Sequence, residues 1–207
     1  MNDDDLLRAI RTRADELGQS RFPCAGADDI TVVELALGFP LPPFYVRLLR
    51  EVGNGGFGPG YGISGVPPGG FQDTDMPGGL LETYRAELAS RDDPAWGVPP
   101  GLLRLCNWGC AQFSYIDGFT STGRVITQEV GQNGVSHFET AASLAGWLGE
   151  WVKGVDLGKE MYETVSYREG KNPFTGAPTQ FPVKRMKGPL LDLSDRLRAD
   201  PARPRRH

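Results

Sequence analysis

Hydrophobic side chains recur at helical spacing in five stretches of the chain. Apolar residues at i, i+3, i+4 and i+7 lie on one face of a helix, which packs against a core. In the fifth stretch, which contains two tryptophans, this spacing favours core packing over a tryptophan-lined ligand site. The predicted apolar helix faces are Leu7, Ile10, Ala14 and Leu17; Ile30, Val33 and Leu37; Phe44, Leu48, Leu49 and Val52; Leu81, Tyr84 and Leu88; and Leu144, Trp147, Leu148, Trp151 and Val152.

The stretch between the fourth and fifth helices alternates apolar and polar residues. Phe113 and Tyr115 alternate with polar neighbours, which is typical of a strand with one buried face. A further strand is expected at 61–66, and 161–168 is expected to be either helix or strand. The strands predicted in the alternating stretch are 102–107, 111–117, 124–130 and 135–138.

Glycine and proline make up an unusual share of the chain. The 207 residues include 28 Gly and 17 Pro, so many turns must separate rather short elements. A glycine- and proline-rich loop is expected at 57–79. This composition argues against a helical bundle and for an α+β domain with long loops, in a chain long enough for one sizeable core.

The net charge of −4 is unevenly distributed. Residues 183–207 hold eight Lys or Arg and three Asp, a charge of +5, which leaves −9 on 1–182. An acidic body repels nucleic acid and membrane surfaces and attracts basic proteins. The sequence predicts a helix and loop at 1–27, the main domain at 28–182 and a flexible basic tail at 183–207, for which solvation is favoured over nucleic-acid contact.

The N-terminus and the cysteines indicate a cytoplasmic protein. Residues 1–5 are acidic where a signal peptide is basic, and no apolar run is long enough to span a membrane. Three cysteines are too few and too uneven for a disulfide framework. Cys106 and Cys110 lie four residues apart, but without further ligands they are interpreted as buried structural thiols rather than a metal or redox site.

Candidate catalytic groups are sparse. His137 is the one histidine before the terminal His207, and an ordinary strand residue is favoured over a general base. The glycine run at 53–58 lacks the Lys-Ser/Thr end of a phosphate-binding loop. Asp73 and Asp75 could hold a cation, but no later carboxylate completes such a site. The sequence therefore predicts no catalytic residue, no metal site and no cofactor.

Two short motifs nevertheless resemble a known family. Their order and spacing are similar to those of the SUKH superfamily of SMI/KNR type, over roughly residues 28–152. The first motif consists of a glutamate, Leu-Gly and Leu-Pro pairs and a final Asn-Gly-Gly run. The second motif is a Trp-Gly pair followed by an aspartate, Asp117. The motif residues are Glu34, Gly38, Leu41, Pro42, Asn54, Gly55, Gly56, Trp108 and Gly109.

The resemblance implies a fold and a function. It implies a central, largely antiparallel or mixed sheet with helices packed against it, in a SUKH-like domain at 28–182. It also implies a non-enzymatic immunity protein that neutralises a toxin, with an intracellular regulatory adaptor as the alternative. An unrecognised small-molecule or metal-dependent enzyme is the least favoured interpretation, because the catalytic constellations are absent. Given the acidic body, the expected partner is a basic toxin domain, such as a nuclease, rather than a nucleic acid or a membrane.

Five residues are expected to contact that partner. Asp73, Asp75 and Asp117 are interpreted as loop acids that bind a basic surface, and Tyr61 and Phe71 as aromatic anchors. For each of them an ordinary solvated carboxylate or core ring is the competing interpretation. The oligomeric state and the roles of the loop at 57–79 and the basic tail are not predicted.

Overall fold

The fold is α+β, as the sequence predicts. The computed structural model describes residues 1–73, 78–93, 97–131 and 134–197. The third helix continues as a π-helical turn at Leu48–Val52. The elements in chain order are α1 (Asp3–Glu16), α2 (Ala27–Leu37), α3 (Pro43–Arg47), α4 (Gly79–Ala89), β1 (Leu102–Gly109), β2 (Gln112–Asp117), β3 (Val125–Gly131), β4 (Gly134–Ala141), α5 (Leu144–Val152), α6 (Leu157–Glu160), β5 (Tyr162–Lys171), β6 (Pro178–Met186) and α7 (Ser194–Leu197).

A four-stranded antiparallel meander forms the central sheet. Its strands lie in the order β1-β2-β3-β4, with Leu103 opposite Ile116 and Ile116 opposite Val125. All four strands predicted here are present, and 161–168 lies mainly in strand β5. The strand predicted at 61–66 is wrong, because this segment makes a single bridge, Ile63 to Cys106, within a glycine-rich loop.

Helices cover one face of the sheet and build the main core. Helix α1 begins at a cap in which Asn2 Oδ1 accepts from the Asp5 N–H at 2.9 Å, and it packs against α5. Its apolar face belongs to the same buried cluster as the sheet. The side chains that meet in this core include Ile10, Val33, Leu48, Leu103, Leu105, Ile116, Leu144 and Leu148.

Irregular segments cover both edges of the sheet. Along β1, the Ser64 N–H donates to the Leu105 carbonyl at 2.7 Å. Along β4, the Leu191 N–H donates to the His137 carbonyl at 2.8 Å, and Leu190 bridges to Phe138. These contacts occupy edge groups that would otherwise be open to pairing with another chain.

The segment after β6 returns to the sheet instead of leaving the body. Residues 183–186 complete β6, Leu193 is buried, and the Arg196 guanidinium makes a bidentate ion pair with Asp117 at 2.8 and 2.9 Å. Residues 183–197 therefore contact the folded chain, in contrast to the flexible tail expected there. The division of the chain at residues 27 and 182 stays a prediction, and 198–207 lie outside the described residues.

Strands β5 and β6 form a separate two-stranded hairpin. Most of its side chains are exposed on both faces, including Val165, Tyr167 and Val183. The hairpin is anchored at its base, where the Lys187 N–H donates to the Met161 carbonyl at 2.7 Å. Two isolated strands are only marginally stable in water, so this base carries much of the hairpin's order.

Replacing Arg196 with methionine tests the attachment of the C-terminal segment. We expect Arg196→Met to lower the free energy of unfolding by about 2 kcal/mol, because it removes one of two cations from a buried carboxylate. Urea denaturation of both proteins measures the change. Arg185→Met, at an exposed ion pair with Glu163, is the matched control and should change stability by less than about 0.5 kcal/mol. Equal small effects would contradict the buried attachment.

Candidate protein-binding surface

The first motif fixes the angle between two consecutive helices. Gly38 ends α2 in the left-handed region, at φ +81°. Four residues before it, the Glu34 carboxylate reaches forward and accepts from the Leu41 N–H at 2.9 Å. Pro42 is then the N-cap residue of α3, and Pro43 occupies the first helical position, where proline is favoured. Glu34, Gly38 and Pro42 thus act on the course of the backbone between α2 and α3.

The Asn-Gly-Gly motif turns the chain from the helices toward the sheet. The buried Asn54 amide donates to the Val66 carbonyl and accepts from the Val66 N–H, both at 2.8 Å. A Cβ on Gly55 would lie 2.6 Å from the Ile63 carbonyl oxygen, so only glycine fits there. The same holds at Gly56, where a Cβ would lie 2.8 Å from the Ser20 carbonyl oxygen.

The second motif lies where β1 meets β2. The half-buried Trp108 donates its indole N–H to the Ser114 hydroxyl at 2.8 Å and packs edge-on against Trp147, with ring centroids 6.1 Å apart. Gly109 follows at φ +86°, and a Cβ there would lie 2.7 Å from the Tyr61 hydroxyl oxygen. The two motifs therefore bring Tyr61 and Trp108 to the same end of the sheet.

The connection between β1 and β2 is exposed and locally strained. Cys110 and Ala111 have φ values of +52° and +60° and are both exposed. A two-residue hairpin turn needs left-handed backbone at both positions, for which Asn-Gly is preferred. Left-handed backbone costs a non-glycine residue about 1 kcal/mol or more. Because Gly109 pairs with Gln112, the chain has no freedom to avoid this geometry.

We call this region the tip surface. Tyr61 is its most prominent side chain, 59% exposed, with its backbone N–H donating to the Asn107 carbonyl at 2.9 Å. A large ring held on a fixed backbone is a favourable contact for a protein partner. The tip surface consists of Tyr61, Trp108, Gly109, Cys110 and Ala111.

The other predicted anchors lie elsewhere. Phe71 is half-buried and packs against Phe22, with ring centroids 5.5 Å apart. Asp73 is 9% exposed and so presents little of its carboxylate to solvent. Asp75 lies outside the described residues. Of the five residues predicted to contact a partner, Tyr61 thus has the most exposed side chain among those the structure describes.

Asp117 is not the exposed loop acid that the sequence suggests. It is fully buried, and Arg124 as well as Arg196 pairs with its carboxylate, Arg124 at 2.9 Å. Burial alone would raise the pKa of Asp117, but hydrogen bonds and charge from Arg196 and Arg124 lower it below its usual range. Its carboxylate reaches solvent only if the C-terminal segment moves away.

The residues considered for chemistry occupy separate places. Cys106 is buried and Cys110 exposed, and burial raises the pKa of the Cys106 thiol. Over the described ranges, no group of three or more His, Cys, Asp or Glu side chains is arranged to hold a metal ion. The helices in the same part of the chain include none that is long and apolar enough to cross a membrane.

Neither Cys110 nor Ala111 was predicted from the sequence to contact a partner. Cys-Ala has no turn signature, so neither residue type predicts left-handed backbone. The one available signal was the short separation between two predicted strands, 102–107 and 111–117, which requires a tight turn. That signal locates a turn without showing that it is strained.

Comparison with known proteins identifies a family for most of the chain. A model of the SMI1 / KNR4 family (SUKH-1) matches residues 24–150. The matched segment includes both motifs and the tip surface, whereas the β5–β6 hairpin and the segment ending in α7 lie beyond it. No curated protein matches the chain.

The pH dependence of stability should report on His137. Burial lowers its pKa from 6.5 to about 4, so the unfolded chain binds the proton more readily. The fold is therefore favoured when the pH is above the pKa of His137 in the unfolded chain, and this contribution to the free energy of unfolding is lost as the pH falls toward the pKa of His137 in the folded chain. From about pH 7 to about pH 5, the free energy of unfolding should fall by about 2 kcal/mol more in the native protein than in His137→Asn. Urea denaturation at both pH values measures this difference, and parallel losses would show that His137 is protonated in the fold.

Proposed function

Because the chain belongs to the SMI1 / KNR4 family (SUKH-1), we propose that it is a non-catalytic protein-binding domain that neutralises a cognate toxin. Domains of this superfamily are often immunity proteins. On this proposal the chain acts in the cytoplasm by occupying a surface of the toxin, and it makes or breaks no covalent bond. The tip surface is the part of the fold assigned to that contact.

The strained tip next to an exposed tyrosine is the observation that supports this assignment. Asn-Gly would form the same turn with less strain, yet the chain has Cys110 and Ala111 there. Both side chains are exposed, so core packing does not explain the choice. A backbone conformation that its residues disfavour, at an exposed position and with no gain in packing, is typical of a functional site.

Charge supports a basic partner. Residues 1–197, which include the segment that returns to the sheet, hold 18 Lys or Arg and 25 Asp or Glu, a net charge of −7, which speeds the approach of a basic protein and repels nucleic acid. A nuclease toxin has a basic groove for its substrate. We propose that the acidic body steers such a toxin to the tip surface, where Tyr61 provides the close contact.

A regulatory adaptor is the second candidate. The exposed β5–β6 hairpin lies outside the matched segment, and an adaptor needs a second surface for a second partner. On this alternative the tip surface and the hairpin bind different proteins. Recovery of several unrelated partners, with no toxin encoded beside the gene, would favour the adaptor.

Truncating Tyr61 tests the tip surface. Tyr61→Ala should weaken binding to the toxin encoded beside the gene by about 30-fold, the effect of losing a central aromatic anchor. Isothermal titration calorimetry measures the dissociation constant, and protection of toxin-expressing cells should decline in parallel. Inhibition should be stoichiometric, with the mass of the toxin unchanged.

Tyr167→Ala is the matched control, because Tyr167 is a similarly exposed tyrosine on the β5–β6 hairpin. It should leave toxin binding within about 3-fold of the native value. Loss of binding in Tyr167→Ala but not in Tyr61→Ala would show that the toxin contacts the hairpin instead of the tip surface. Absence of any complex with the native chain would refute toxin neutralisation itself.

A further inference from the structure

The tip surface rests on a segment that lies outside the family match. This support segment, residues 156–162, contains the short helix α6 and the first residue of β5, and it follows the matched stretch that ends at residue 150. A strained backbone persists only where its surroundings hold it. The turn at Cys110 and Ala111 therefore needs supports, and the support segment supplies two of them.

The first support is a hydrogen bond to the residue that follows the turn. Gln112 begins β2 and pairs with Gly109 across the turn. Its side-chain Nε2 donates to the hydroxyl of Tyr162, the first residue of β5. Both side chains are half-buried, so water competes less for this bond than at an exposed position. The bond ties the C-terminal side of the turn to β5.

The second support lies against the Trp108 ring. A Cβ on Gly158 would lie 3.3 Å from the ring atoms Cε3 and Cζ3 of Trp108, so the indole packs directly on the backbone of α6. Helix α6 is itself fixed, because Leu157 is buried in the main core and the Asp156 carboxylate accepts from the Lys159 N–H at 3.2 Å. The N-terminal side of the turn is thus held by the same segment.

The turn is held from both sides, and the position of Tyr61 depends on it. On the side before the turn, Asn107 Oδ1 also accepts from the Gly109 N–H at 2.7 Å. On the side after it, the bond to Tyr162 holds Gln112. A Cβ on Gly109 would lie 2.7 Å from the Tyr61 hydroxyl oxygen, so the Tyr61 side chain lies against the start of the turn. A displaced turn would therefore also displace this aromatic anchor.

We propose that Tyr162 is a positioning residue for partner binding: through its hydrogen bond with Gln112 it holds the turn at Cys110 and Ala111 in the conformation that the toxin recognises. Tyr162 acts without contacting the toxin. This role rests on the proposed function, because it concerns the order of the same tip surface. A surface that is ordered before binding loses less conformational entropy when the complex forms, and its affinity is higher for that reason.

NMR relaxation of the full chain tests the order of the turn without any toxin. Tyr162→Phe removes the hydroxyl and keeps the ring, so the protein should remain folded. The order parameters of the Cys110 and Ala111 amides should be about 0.85 in the native chain and fall to about 0.6 in Tyr162→Phe. Tyr167→Phe, at an exposed tyrosine of the same hairpin, is the matched control and should change neither value. Unchanged order parameters in Tyr162→Phe would overturn the proposal.

Binding kinetics separate positioning from direct contact. With the turn ordered in about one fifth of the Tyr162→Phe molecules, the association rate constant for the toxin should fall about 5-fold, and the dissociation rate constant should stay within about 2-fold. A lost contact would instead speed dissociation. Surface plasmon resonance, at a temperature where both proteins are folded, measures the two constants. Faster dissociation with unchanged association would make Tyr162 a contact residue and overturn the proposal.

A double-mutant cycle with Gln112→Leu tests whether Tyr162 acts through Gln112. Both single variants break the same hydrogen bond, so adding Tyr162→Phe to Gln112→Leu should change the association rate constant by less than about 2-fold. A further 5-fold loss would show that Tyr162 acts by another route and would overturn the proposal. A native chain that forms no complex would overturn the proposed function together with this role, whereas unchanged affinity in Tyr162→Phe would overturn this role alone.

Discussion

The sheet β1–β4 must be covered on both faces, and its two faces differ in chemistry. One face packs apolar residues against the helices of the main core. The other combines a smaller apolar cluster, which includes Leu102 and Ile126, with Arg104, Asp117, Gln128 and His137, all buried or nearly so. A buried charge is tolerated only when it is paired. Helix α4 therefore contributes Glu87, and the C-terminal segment returns with Arg196, so the layout of the outer elements follows from the polarity of this face.

The same constraint separates the structural and the functional parts of the family motifs. Asn54 and Trp108 are held by buried or half-buried hydrogen bonds, and their side chains fix loops at one end of the sheet. Once those loops are fixed, the β1–β2 turn and Tyr61 are held together at that end. A rigid scaffold that presents a strained, exposed turn is a suitable base for recognition by loops. The polar face does not participate in that recognition on the proposed function.

Local sequence patterns were sufficient to predict the scaffold of helices and strands. Helix faces such as Leu144 to Val152, the four strands and the Asn-Gly-Gly reversal depend on periodicity and on residues with few backbone options, and both can be read from one sequence. Asp117 was misjudged because an acid beside a glycine turn resembles a solvated loop residue. Its partner Arg196 lies 79 positions later in the chain, and no local sequence pattern predicts an ion pair over that separation.

The central claim is that the tip surface is where the protein meets its partner. Hydrogen exchange followed by mass spectrometry, on the chain alone and in complex with the toxin encoded beside its gene, tests this directly. Binding should slow exchange in the peptides that contain Tyr61 and Trp108 to Ala111, and leave the β5–β6 hairpin unchanged. Slower exchange confined to the hairpin, with the tip peptides unaffected, would contradict the claim.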